Sequence, residues 1–142
     1  MPMLDESLKK EVAALLDQMV DPVEVLFYTK AGDAASDAMN ELLHDLSDVN
    51  PKVSVKRQEG AAPLVAPDLD DEMTSSVSVF TTNGQPTGVR YLGFPGGREF
   101  GTFMTAVVGI SSRVAPELSP ETVHFIENLE KPLHLQVFVT PT

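Results

Sequence analysis

A pattern near the start of this chain returns near its end. Leu15, Leu16 and Met19, at helical spacing, lead to Pro22 and the apolar run Val23-Glu24-Val25-Leu26-Phe27-Tyr28-Thr29. Phe125, Ile126 and Leu129 lead to Pro132 and Leu133-His134-Leu135-Gln136-Val137-Phe138-Val139. Leu15 and Phe125, Leu16 and Ile126, Met19 and Leu129, Pro22 and Pro132, Val23 and Leu133, and Val25 and Leu135 all share one offset, the mark of a repeated supersecondary unit. The match is one of chemical type, and any helix followed by a buried strand shares part of it. The two copies part company after their apolar runs. The first continues through Lys30-Ala31-Gly32-Asp33 into a helix, whereas the second reaches Thr140-Pro141-Thr142 and the sequence stops. The expectation is a full unit over residues 1–115, then the opening helix and strand of a second over 116–142.

Periodicity supplies the elements between. Leu8, Val12, Leu15, Leu16 and Met19 recur at three- and four-residue steps, predicting an amphipathic helix from Asp5 to about Met19 that Pro22 ends. Val23 to Thr29 is apolar at neighbouring positions as well as alternate ones, as in a central strand buried on both faces. A helix is predicted over about Ala34 to Leu46, with Met39, Leu42, Leu43 and Leu46 on one side, and then a half-buried strand around Val53 and Val55. Strand, helix and strand form a right-handed βαβ crossover. Asn83-Gly84 sits between Val77–Thr82 and Thr87–Leu92 and reads as a hairpin turn, since both residues accept positive φ. Arg98 to about Ile110 reads as a helix burying Phe100, Phe103, Met104, Val107 and Val108. Ser119-Pro120 supplies a cap and a first-turn proline for the last helix.

Composition removes several function classes. The 142 residues carry 21 acidic and 10 basic side chains, a net charge of −11. Such a surface repels phosphate, so neither nucleic acid nor an anionic membrane is an expected partner. The acidity itself has a plain reading as solubility. With no cysteine, the chain has no thiolate nucleophile, no disulfide and no sulfur-ligated metal. No run approaches membrane-spanning length, and Met1-Pro2-Met3-Leu4-Asp5-Glu6 lacks the basic and apolar regions of a signal peptide, so a cytoplasmic location is expected.

The element order is that of an α/β thioredoxin-like fold, a mixed central sheet flanked by helices, with an extra amino-terminal helix. Gly88-Val89-Arg90-Tyr91-Leu92-Gly93-Phe94-Pro95-Gly96-Gly97-Arg98-Glu99-Phe100 and Val137-Phe138-Val139-Thr140-Pro141-Thr142 resemble segments of the glutaredoxin-like protein disulfide oxidoreductases, which fuse two thioredoxin-fold units. The architecture is also similar to the amino-terminal domain of the alkyl hydroperoxide reductase flavoprotein subunit, another tandem pair. The resemblance covers essentially the whole chain, poorly at residues 58 to 75. It implies that the strand at 133–139 and its Thr-Pro-Thr run into a Cys-x-x-Cys motif, one residue beyond Thr142.

The same resemblance locates a redox site in the first unit. Where some relatives carry Cys-x-x-Cys, this chain has Asp33-Ala34-Ala35-Ser36, and where they carry a cis-proline it has about Ser76, within Thr74-Ser75-Ser76. Asp33, Ser36 and Ser76 are therefore the positions of a degenerate site, with no catalytic residue, cofactor or metal expected. The exposed amides at a helix start that would favour a thiolate also favour a carboxylate, so Asp33 reads first as an N-cap and only second as a general base.

Other candidates carry less. His44, His124 and His134 lack metal-ligand spacing, though His124 and His134 approach if their helix and strand pack together. The acids Asp68, Asp70, Asp71 and Glu72 lack the glycine of a calcium loop and read as a solvated loop. Gly93 to Gly97 has neither dinucleotide-binding nor P-loop spacing and reads as a turn. Ser111-Ser112 is no hydrolase elbow, and Arg90 and Arg98 read as solvated or paired with Glu99 and other acids.

Leu133, Leu135, Val137 and Val139 fall on one side of the terminal strand, and burying each is worth about 1.5–3 kcal/mol. The strand is expected either to lie against the first unit's sheet or to pair with another copy. The functional expectation is a redox-inactive half of a disulfide oxidoreductase that docks or orients the active half, its partner a protein or a second thioredoxin-like unit. The alternative is a stand-alone acidic interaction module.

Overall fold

In a computed structural model of the chain, which describes residues 3–29, 31–58 and 76–139, the apolar run after Pro22 forms β1 (Val23–Thr29). The element before it is α1 (Glu6–Leu16), and α2 (Ala34–Val49), β2 (Val53–Gln58), β3 (Ser76–Thr82), β4 (Gln85–Leu92), α3 (Glu99–Ser112) and α4 (Pro120–Glu127) come after it in turn. The four strands form one mixed sheet in the order β2-β1-β3-β4. β1 runs parallel to β2, Val23 opposite Val53 and Val25 opposite Val55, as the βαβ reading required. β3 is antiparallel to both β1 and β4.

The hairpin forms at Asn83-Gly84, with φ of 50° and 73°. Its register shifts between Val79 and Thr81, where β4 takes up extra residues around Gly88, at φ 79°. Thr87 stitches this bulge: its Oγ1 donates to the Phe80 carbonyl at 2.8 Å and accepts from the Val89 amide at 3.1 Å. A residue with a Cβ at Gly88 would be strained, as bulges of this kind are.

The inner face of the sheet carries Val23, Val25, Phe27 and Phe80, all buried, and joins one core with Val12 and Leu16 of α1, Met39, Leu42, Leu43 and Leu46 of α2, and Phe103, Met104 and Val107 of α3. Helices α2 and α3 lie on the sheet, and α1 packs on both of them. Phe103 anchors α3 between two ring contacts, tilted on Phe80 at 5.8 Å and edge-on to Tyr91 at 5.2 Å. Burial of β1 is one-sided: Leu26 and Tyr28, on the other face, are half-buried and Glu24 is exposed. The expectation of a strand buried on both faces fails there, because the helices that form this core all serve the inner face.

Boundaries differ in instructive places. α1 stops at Leu16, before the predicted Met19: the Gln18 and Met19 amides bond back three residues, to the Leu15 and Leu16 carbonyls at 3.1 and 3.0 Å, and long-range donors close on the end of the helix and the connection after it. Asn50 Nδ2 donates to the Leu16 carbonyl at 3.1 Å and Lys52 Nζ to that of Met19 at 2.6 Å, an alternative to continuing the helix. Met19 is still buried, from the connection. Leu15 is exposed, since Val12 and Leu16 face the core and a one-residue step turns the side chain about 100° away. α2 runs three residues past the predicted Leu46, and β4 begins two residues before Thr87.

The largest departure is at the carboxy-terminal end. α4 forms behind the predicted cap, Ser119 Oγ accepting from the Thr122 amide at 3.2 Å. Yet α4 buries none of its residues, and 133–139 belong to no strand, with Leu133, Leu135, Val137, Phe138 and Val139 exposed. The prediction that this segment lies against the first unit's sheet is overturned. A strand exists only where a neighbour satisfies its backbone groups, and no described strand runs beside this one.

Candidate functional site

The carboxyl end of β1 positions the site. Gly32 turns the chain at φ 73°, and Asp33, in extended conformation, caps α2: its Oδ2 accepts from the Ser36 amide at 2.7 Å. Ser36 is buried in the first turn of the helix. Across the sheet, Thr29 at the end of β1 pairs with Ser76 at the start of β3, so Ser76 also lies at this end. The Ser76 carbonyl accepts from the Gly93 amide at 2.9 Å, which ties β3 to the glycine-rich turn. Its hydroxyl and that of Ser78 are buried on the inner face without a hydrogen-bond partner. Thr74 and Ser75 lie outside the described residues, as do the acids Asp68 to Glu72 of the calcium-loop reading.

The Asp33 carboxylate is committed to the helix start, and serine hydroxyls do not exchange disulfides. Among the described residues no group of three His, Cys, Asp or Glu side chains is placed to hold a metal. His44, His124 and His134 are exposed. The His124 ring packs against the Asn128 amide at 3.2 Å, one turn on, and His134 lies in the segment that forms no strand, so the juxtaposition of His124 and His134 through helix–strand packing does not arise.

The Gly93–Gly97 segment forms a turn, as its spacing implies. It borders an open cleft of about 280 Å³ whose lining, including Leu4, Leu8, Leu42, Phe94 and Phe100, bears no charge to meet a phosphate. Beside it Glu99 accepts from Tyr91 Oη at 2.6 Å. Burial first, and then the bond to Glu99, push the Tyr91 phenol well above its ordinary range, so it remains a donor throughout the physiological range.

Sequence reasoning missed a polar cluster that joins the end of α3 to the connection before β1. Ser111, which fits no hydrolase motif, is buried; its Oγ donates to the Asp21 carbonyl at 2.5 Å and accepts from the Val20 amide at 2.9 Å. Arg113 forks onto the Asp21 carboxylate through Nε and Nη2. The hydrogen bond from Arg113 holds the Asp21 carboxyl below the usual carboxylate range against the opposing effect of burial, with Asn83 and Lys52 helping. No local signal announces a pair so far apart in sequence. Of the described residues, no helix is long and apolar enough to cross a membrane.

No protein-family profile matches the chain. The F subunit of alkyl hydroperoxide reductase from Staphylococcus aureus is 31% identical over 143 residues, covering 99% of this chain and 25% of the relative. Its Staphylococcus epidermidis counterpart is 29% identical over 141 residues with the same coverage. The chain thus spans about a quarter of the length of the curated relatives it matches. Among solved structures, the NTD_N/C domain of alkylhydroperoxide reductase AhpF from Enterococcus faecalis superposes with a TM-score of 0.67 at 18% identity, over 90% of this chain and 62% of that one. A mutant of the same Enterococcus faecalis protein gives the same TM-score at 19% identity. Of the two resemblances read from the sequence, these relatives fall on the second: over essentially its whole length the chain matches the amino-terminal domain of AhpF, the alkyl hydroperoxide reductase F subunit, in a thioredoxin-like fold.

Proposed function

We propose that this chain is a redox-silent thioredoxin-fold unit whose work is to dock and orient a redox-active partner unit, which carries the disulfide chemistry. Residues 1–115 form the silent unit, and 116–142 open the second. The observation that carries this reading is the occupancy of the redox positions: Asp33 caps α2, and Ser36 and Ser76 are buried serines, in a chain with no cysteine anywhere. The helix start that elsewhere would activate a thiol is stabilised here by a carboxylate instead.

The carboxy-terminal segment supports the second half of the reading. Phe125, Ile126 and Leu129 of α4 and its following turn, with the apolar residues of 133–139, are exposed, and a run of exposed large apolar side chains is the mark of an interaction surface. The occupant that fits is the remainder of a second thioredoxin-like unit, whose strands would flank 133–139 as β2 and β3 flank β1. Such a protein belongs in the cytoplasm, where its thiols stay reduced between turnovers.

Two experiments test this. The reading frame beyond Thr142 should continue into Cys-x-x-Cys; a stop codon there favours the stand-alone acidic module, and a chain that sediments as a dimer through 133–139 replaces the second unit with a second copy. In an insulin-reduction assay with dithiothreitol, the 142-residue chain should match the uncatalysed rate. Turnover above that background overturns the inert assignment of Asp33, Ser36 and Ser76.

A further inference from the structure

Arg113 closes α3, and the way it is held has a use. Its backbone is left-handed, at φ 58°, a conformation that residues bearing a Cβ adopt only against steric resistance. The side chain turns back from the end of α3 and closes both of its donors on Asp21, Nε on Oδ2 at 2.5 Å and Nη2 on Oδ1. A two-point fork of planar guanidinium on carboxylate fixes orientation as well as distance. The guanidinium side chain is 68% exposed and the carboxylate side chain 11% exposed, so the anchor belongs to the body of the unit and the arm does not.

That anchor is rigid. The Asp21 amide donates to the Ser111 carbonyl at 3.1 Å and its carbonyl accepts from Ser111 Oγ. The flanking connection is tied by Lys52 Nζ to the Met19 carbonyl and by Thr82 Oγ1 to the Pro22 carbonyl at 2.8 Å. Beyond Arg113 the Val114 amide still donates to Ser112 Oγ at 3.4 Å, and among the described residues no further hydrogen bond ties 115–119 to α3 or the sheet. Val114 is exposed, residues 114–119 form no helix or strand, and α4 buries nothing.

We infer that the Arg113–Asp21 fork is an orienting latch, which sets the direction in which the chain leaves α3 and so how the segment from Pro120 onward is presented to its partner unit. Arg113 is a positioning residue in this scheme, with no part in any reaction. The inference rests on the docking role proposed above, but it is tested separately.

Because the chain has no cysteine, two nitroxide labels can be placed without background on cysteines introduced at the exposed positions Asp37 in α2 and Glu121 in α4. Pulsed electron double resonance then reads the distribution of distances between them. Arg113→Gly relieves the left-handed backbone and removes the fork; Asp21→Asn keeps the shape and removes the charge. Both should widen the distribution about twofold, as an unlatched connector pivots freely, while a label pair within the first unit, at Asp37 and Gln85, keeps its width. Arg113→Lys keeps the charge without the fork and should widen the distribution too, which covers the case in which a harsher variant does not fold. Equal widths in wild type and all folded variants overturn the latch and leave the silent-unit reading standing. A stop codon after Thr142 removes that reading and leaves a measured latch standing.

Discussion

The two copies of the helix–Pro–strand pattern share their chemistry and differ in almost everything physical. In the first, Val25 and Phe27 are 0% exposed; at the same offsets in the second, Leu135 and Val137 are 79% and 83% exposed. Both copies are preceded by a capped helix, Asp5 accepting from the Leu8 amide and Ser119 from that of Thr122. The first has β2 and β3 on either side and α2 and α3 above; among the described residues the second has no strand beside it. Apolar alternation states what a segment needs, and only the remaining chain supplies it.

Truncating paired positions should break the equivalence most visibly. Phe27→Ala is expected to cost about 3–5 kcal/mol, by lost transfer energy and the cavity left behind. Val137→Ala should fall within about 0.5 kcal/mol of wild type, as exposed substitutions do. Urea denaturation of the 142-residue chain measures both, and a comparable loss at Val137 would mean that the second copy is buried after all.

The caps sharpen the same contrast. Asp33→Ala removes the acceptor at the start of a helix integral to the core and should lower global stability by about 0.5–2 kcal/mol. Ser119→Ala should leave the global unfolding midpoint unmoved and reduce only the helicity of α4, seen as a small loss of ellipticity.

The Asp21–Arg113 pair distinguishes the regions through pH. Because Arg113 holds the Asp21 carboxyl below its unfolded value, the pair's contribution is complete above about pH 4 and is lost as pH falls through the lower, folded value. Wild type should therefore be more stable than Asp21→Asn at neutral pH, with the gap closing in acid. A gap that persists unchanged at low pH would assign the effect to packing rather than charge.

An effect of the opposite sign is expected at Ser78, whose buried hydroxyl has no partner. Ser78→Ala removes an unsatisfied group at little cost in volume and should be neutral or stabilising by up to about 1 kcal/mol. A clear loss of stability would show that the hydroxyl is satisfied in solution.

Legibility in the sequence follows this division. The crossover from β1 through α2 to β2 and the Asn83-Gly84 turn are readable because their signals are local: periodicity over one helix, and positive φ at two adjacent residues. Asp33 is readable as a cap for the same reason. The end of α1 is not, because Asn50 bonds its last carbonyl from the far side of β1 and no local signal marks that contact. Nor is the latch, since Asp21 and Arg113 sit at opposite ends of the unit and neither belongs to a motif. The fate of 133–139 is unreadable on different grounds, as its apolar pattern is plain but its partners are not among the described strands.

Amide exchange followed by mass spectrometry on the 142-residue chain, at a concentration where its solution mass is that of a monomer, tests the unpartnered state of the second copy most directly. Residues 23–29 should exchange only with global unfolding, and 133–139 at close to the rate of an unstructured peptide. Slow exchange at 133–139 in that monomer would show that the segment already has its partner within this chain, and the proposal of a second unit waiting to be completed would fall.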